Sequence, residues 1–177
     1  MGTTLESVVS RGNSSLAGQK TYSFEEAVKA STDYFDGDDM AAINWVNKYA
    51  LKDSHGNIYE VNPDQMHWRI AHEIERIEKE KGYQNPVSAE KVYSLLEGFK
   101  HLVPQGSPMS GIGNNYQTIS LSNCFVIGNG YDSYGGIMQT DQEQVQLMKR
   151  RGGVGHDVSS LRPAKSPVNN TALTSTG

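Results

Sequence analysis

The only thiol in this sequence, Cys124, lies in the stretch from Ser120 to Arg162, SLSNCFVIGNGYDSYGGIMQTDQEQVQLMKRRGGVGHDVSSLR. A thiol among alternating apolar residues is by default a small buried hydrophobe. It becomes a redox centre only where a substrate and a second thiol can reach it. Glycines 152, 153 and 155 follow the basic run Lys149-Arg150-Arg151, and they permit close backbone approach to a ligand or a neighbouring element. They do not make a dinucleotide fingerprint, because Val158 stands where its third glycine belongs, and the GK[ST] of a P-loop is missing. The three cations fall where the last turn of a helix would end, which suits the helix dipole. Arg162 and Lys165 are isolated cations beside prolines. At a strand end they would suit a phosphate, which a guanidinium grips with two hydrogen bonds. Asp132-Ser133 reads by default as the N-cap of a helix.

The elements that must position these residues follow from periodicity. Tyr116 to Gly128 mixes β-branched, aromatic and apolar residues and is predicted as a strand. Ile119, Leu121 and Asn123 share one face, and Ser120, Ser122 and Cys124 the other. A helix is predicted from about Ser133 to the glycines after Arg151. It carries Ile137, Val145 and Met148 at helical spacing and a second capping-box pattern at Thr140 to Glu143. Val154 to Leu161 is predicted as another strand. Strand, helix, strand over this length is a βαβ unit and implies a parallel sheet.

Upstream the pattern is helical. Residues 1–20 are rich in Gly, Ser and Thr and are expected to form a flexible arm. Ser23-Phe24-Glu25-Glu26 fits a capping box, with a helix to about Phe35. Asp36-Gly37-Asp38-Asp39 is expected to break that helix and cap the next, roughly Asp39 to Ala50. It is not a calcium loop, because Asn47 stands where the bidentate glutamate of one is required. Asp53 to Asn57 is a turn. Asn62-Pro63 then starts a helix with Met66, Ile70, Ile74 and Ile77 on one stripe, closed by Gly82. His67 and His72 on that helix are five apart, off the spacing of paired zinc ligands, and are expected as surface or partly buried histidines. Ser88 caps a further helix with the stripe Val92, Leu95, Leu96 and Phe99. Residues 21–103 therefore read as a helical subdomain. The texture changes at Pro104, where PQGSPMSGIGNN is loop chemistry, and residues 104–177 form the second part.

Composition bounds the function. The chain has 177 residues, 36% of them apolar and 20% charged, a globular mixture with no segment apolar enough to cross a bilayer. No secretory h-region precedes Ser23, and a single cysteine excludes an internal disulfide framework, so a cytoplasmic setting is expected. A net charge of -4 argues against a nucleic-acid partner, though a local cationic cluster can still hold a small anion. A chain that ends one βαβ unit into a sheet leaves its edges uncovered. It is expected to be part of something larger, either a truncation or one piece of a split gene product.

From Pro104 onward, SLSNCFVI, then DS opening a helix, then RRGGVGHDVSSLRP resemble in order the start of the barrel of a ribonucleotide reductase large (catalytic) subunit. The preceding part resembles that family's N-terminal helical region, without a separate ATP-cone module. The resemblance implies an α/β fold in which a helical subdomain precedes the first strand-helix-strand of a ten-stranded α/β barrel, incomplete in this chain. It implies radical reduction of ribonucleotides to deoxyribonucleotides by the complete enzyme, under allosteric nucleotide control. Cys124 matches the barrel cysteine that, with a second one, supplies reducing equivalents. Ser122, Asn123, Gly152 and Gly153 match substrate-side positions, with asparagine departing from a common serine. Asp132 and Ser133 match contacts to the effector's sugar and base, Arg162 a phosphate ligand, and Lys165 an addition from the following loop.

No cofactor or metal is implied for this segment. The complete enzyme needs adenosylcobalamin or a di-metal radical partner subunit, and the residues that separate these classes are not in view. The implied partners are the remainder of the subunit, a ribonucleotide, a dNTP or ATP effector, thioredoxin or glutaredoxin, and a second copy in a homodimer. The radical cysteine, the partner of Cys124 and the re-reducing cysteines are missing from this sequence. The rival reading is a non-catalytic nucleotide-binding or assembly module that completes a sheet with a partner chain. There Cys124 would be mere core.

Overall fold

The computed structural model describes residues 20–128 and 130–176. The expected flexible arm, apart from Lys20, lies outside the described residues. The chain divides into two compact units, one ending at Leu121 and the other starting at Ser122.

The first unit is helical. Ser23 forms the expected capping box: its hydroxyl accepts from the Glu26 N–H at 3.1 Å, and the Glu26 carboxylate accepts from the Ser23 N–H at 2.8 Å. Helix α1 (Phe24–Tyr34) follows. Asp38 caps α2 (Asp39–Lys48), so the acidic tetrad is a turn and a cap. Asn62 caps α3 (Pro63–Glu80) with Pro63 in its first turn, where the missing N–H does no harm. Ser88 caps α4 (Ala89–Leu96). A 3-10 turn, Glu97–Phe99, follows α4. The core gathers Ala27, Trp45, Val46, Met66, Ile70, Ala71, Val92 and Leu96.

The apolar stripes are shorter than their spacing suggests. Ile77 is 40% and Leu95 38% exposed. The C-terminal half of α3 runs out past the core, where Arg76 pairs with Glu73 and Glu80 instead.

His67 departs from the expectation of a surface or partly buried histidine. It is fully buried, and neither ring nitrogen has a hydrogen-bond partner among the described residues. Its position explains this, since 67, 70, 71 and 74 share one helical face. Phe99 meets the ring edge-on at 4.6 Å, and Tyr34 lies at 6.4 Å. Burial holds the imidazole pKa below its ordinary value of 6.5, outweighing the opposing pull of Asp64.

The supposed loop after Pro104 contains a short helix, α5 (Gly106–Gly111), with Ser107, Met109 and Ser110 buried. Arg69 on α3 draws it in. The guanidinium donates to Glu60 at 2.7 and 3.2 Å, to the Met109 carbonyl at 2.7 Å, and to the Ile112 carbonyl. Glu60 also accepts from the Leu51 N–H at 2.9 Å. The pair is nearly dry, with side chains 10% and 5% exposed. Gly113 is required beside it, because a Cβ there would lie 2.9 Å from the Arg69 Cγ and the backbone has φ +71.

The predicted strand from Tyr116 to Gly128 is corrected to β1 (Cys124–Ile127). Residues 114–121 pack within the first unit rather than beside another strand. Tyr116 stacks on Tyr59 at 4.5 Å, Gln117 donates to the Asp53 carbonyl at 3.1 Å, and Ile119 and Leu121 cover Gly111.

In the second unit β1 pairs in parallel with β2 (Gly153–His156), and α6 (Tyr134–Met148) crosses between them. The unit is thus a strand-helix-strand with a two-stranded open sheet, as expected. Its elements are shorter than predicted. The helix stops at Met148, because Arg151 takes a left-handed φ of 67 and turns the chain into β2. Strand β2 stops at His156, because the Asp157 carboxylate takes the Ser159 N–H and hydroxyl, both at 2.8 Å. The second capping box does not form: Thr140 lies inside α6 and donates to the Gly136 carbonyl at 3.1 Å.

Two stability measurements test this account. Replacing Arg69→Met leaves Glu60 buried and unpaired, and the expected loss is about 3–5 kcal/mol in denaturant unfolding followed by tryptophan fluorescence. A loss under 1 kcal/mol would mean the pair is dispensable. For His67, whose folded pKa is depressed, the unfolded chain binds the extra proton. Stability is therefore complete above pH 6.5 and falls as pH drops below it, by at most about 1.4 kcal/mol per pH unit. The variant His67→Phe should flatten that part of the pH profile, and an unchanged slope would assign it to other groups.

Candidate functional site

The parallel register decides which site residues meet. It sets Cys124 opposite Gly153, Phe125 opposite Val154, Val126 opposite Gly155 and Ile127 opposite His156. Ser122, Asn123, Gly152 and Gly153 therefore gather with Cys124 at the amino end of the strand pair. Parallel strands share their ends, so the segments leaving β1 and β2 both lie at the carboxyl end, and Asp132, Ser133 and Arg162 belong there. Four residues of strand, roughly 13 Å at about 3.3 Å each, separate the two ends.

At the amino end Cys124 is exposed, not the buried hydrophobe its apolar neighbours suggest. Alternation puts the half-buried Phe125 and Ile127 on the other face of β1, toward the crossing helix. Gly153 donates to the Asn123 carbonyl at 2.6 Å, and a Cβ on Gly153 would lie 3.7 Å from the Cys124 sulfur. The two glycines act differently. A Cβ on Gly152 would lie 2.7 Å from the Phe125 ring and 3.1 Å from the Leu147 carbonyl oxygen. Gly152 thus lets the end of α6 close onto β1, whereas Gly153 leaves the thiol uncovered.

At the carboxyl end Ser133 is the N-cap of α6, accepting from the Gly136 N–H at 3.1 Å. Asp132 and Arg162, thirty residues apart, form an ion pair at 2.7 Å. Lys165 is not brought into it. Its backbone takes a left-handed φ of 68, its N–H bonds to the Ser175 carbonyl at 2.7 Å, and its ammonium makes no ion pair among the described residues. Spacing also gives no hint of a small cavity of about 50 Å³ beside this end, lined by Ile137, Thr140, His156, Asp157 and Leu161 among others. Its one readable trace is the glycines at 130 and 136. A Cβ at either would come within 2.2 to 2.3 Å of backbone, so the loop after β1 can press on the first turn of α6 only without side chains there.

Residues 35–113 match the family model described as the all-alpha domain of ribonucleotide reductase. Residues 122–177 match the model described as its barrel domain. The chain belongs to the ribonucleotide reductase large-subunit family. No curated protein matches the sequence. The reductase barrel match begins at Ser122, where the second compact unit begins, and it spans both ends of the strand pair. The all-alpha match ends after α5, which agrees with the tie from Arg69 to that segment. Members of this family are oxidoreductases of deoxyribonucleotide synthesis. No helix among the described residues is long and apolar enough to cross a membrane.

The two glycines give opposite expected phenotypes. Gly152→Ala should lower the urea midpoint, at a cost of about 1–3 kcal/mol, because ring and backbone must both move. Gly153→Ala should unfold like the parent but slow alkylation of Cys124 by iodoacetamide, since its methyl reaches the thiol. Equal behaviour of the two variants would refute this division of roles.

Proposed function

We propose that this chain is the N-terminal part of a ribonucleotide reductase catalytic subunit. In this reading Cys124 is one of two thiols that reduce the substrate ribose, with the other supplied by the remainder of the barrel. Two thiols become one disulfide, releasing two electrons and two protons, and the 2′-hydroxyl leaves as water. Ser122, Asn123 and the Gly152–Gly153 turn would line the ribonucleotide, diphosphate or triphosphate. Asp132, Ser133, Arg162 and the weaker Lys165 would hold a dNTP or ATP effector at the opposite end of the strands. Thioredoxin or glutaredoxin would re-reduce the disulfide, and the effector site would lie at a homodimer interface.

The observation that carries this reading is the register of β1 on β2. It puts an exposed thiol against a glycine turn that keeps it uncovered, in a sheet with open outer edges. The radical source would be adenosylcobalamin or a di-metal partner subunit, supplied from outside this segment. Among the described residues no set of three His, Cys, Asp or Glu side chains is placed to hold a metal. This segment's part is to present the thiol and to orient two nucleotides.

The deciding experiment changes Cys124→Ser in the assembled subunit. Deoxyribonucleotide formation should drop to background while effector binding, followed by calorimetry, is retained. Turnover at the parent rate would remove Cys124 from the chemistry and favour the module reading.

A further inference from the structure

Asp132 holds Arg162 by contacts that all fall on one side of the guanidinium. The carboxylate accepts from Nε at 2.7 Å and from the Arg162 backbone N–H at 3.2 Å, while the Asp132 carbonyl oxygen accepts from Nη2 at 3.3 Å. Nη1 has no partner among the described residues. With side chains 39% and 38% exposed, the pair is screened by water and adds little stability. Its consequence is orientation instead. A planar fork gripped along its Nε edge, with its own backbone N–H tied to the same carboxylate, keeps one attitude and leaves the Nη1 edge for a second anion.

We propose that Asp132 is a positioning residue for Arg162, fixing the guanidinium so that its remaining edge receives an effector phosphate. This rests on the reading of Arg162 as a phosphate ligand and adds a role for Asp132 beyond contact with the sugar. It also predicts a sign. A carboxylate beside an anion's arrival point repels that anion, so its removal should tighten binding if charge alone mattered. Positioning predicts the reverse.

The test titrates the assembled catalytic subunit with ATP and, separately, with inorganic tripolyphosphate, which has neither ribose nor base. Asp132→Ala should weaken tripolyphosphate about tenfold, for the loss of one well-oriented charged hydrogen bond, and ATP by at least that factor, because ATP also loses its sugar contact. Asp132→Asn should recover part of that loss, because its amide oxygen still accepts from Nε. Tripolyphosphate binding that is unchanged or tighter in Asp132→Ala overturns the proposal, and so does weakening confined to ATP. If Asp132→Ala fails to assemble, Asp132→Glu carries the test: the added methylene shifts the grip, so weaker tripolyphosphate binding is expected and parental affinity is overturning. Arg162→Gln separates the two layers. Parental tripolyphosphate affinity in that variant would refute Arg162 as the phosphate ligand, whereas its loss alongside an unaffected Asp132→Ala would refute positioning alone.

Discussion

Parallel pairing of two short strands is the constraint on which the second unit depends. Strands that run the same way cannot be joined by a tight turn, so the chain between them must travel back along the sheet, here as α6. That return journey sorts residues between two ends. Everything immediately before β1 and β2 collects at one end, and everything immediately after them at the other. A thiol with its glycine turn and an aspartate with its arginine are thereby set about one strand length apart. Both are read by elements that share the same α6. The loop leaving β1 presses on the first turn of α6, and the far end of that helix packs through Gly152 against Phe125.

The helical unit answers a different problem, that of burying polar groups. Glu60 and Arg69 are removed from water, and the desolvation this requires is offset only because every contact is satisfied at once. The guanidinium reaches the carboxylate, one carbonyl of α5 and that of Ile112 just past its end, so the pair folds a Gly/Ser/Pro-rich segment onto α3 that has little helix propensity of its own. His67 shows the opposite arrangement. Its ring is enclosed by aromatic edges and has no hydrogen-bond partner among the described residues, so burial disfavours its charged form.

Much of this fold was legible because its signals are local. The caps at Ser23, Asp38, Asn62, Ser88 and Ser133 depend on one side chain reaching the next turn, and such contacts are encoded within four residues. The strand-helix-strand order was legible for the same reason, and the ordered series SLSNCFVI, DS and RRGGVGHD carried the family. The ends of the strands were not legible. Tyr116 to Leu121 has strand composition, but Tyr59, Asp53 and Gly111 engage it first, and Tyr59 and Asp53 are far from it in sequence.

By itself, then, the sequence determined the helices other than α5, their starting residues, the parallel character of the sheet and the family, all consequences of short-range spacing and residue type. Tertiary structure alone decided that Cys124 is exposed, that His67 is enclosed, that α5 belongs to the first unit, and that Asp132 grips Arg162 while Lys165 stands apart. The physical reason is common to all four. Burial and ion pairing are set by which distant segments arrive at the same place, and a hydrophobic pattern records only which face of its own element is apolar.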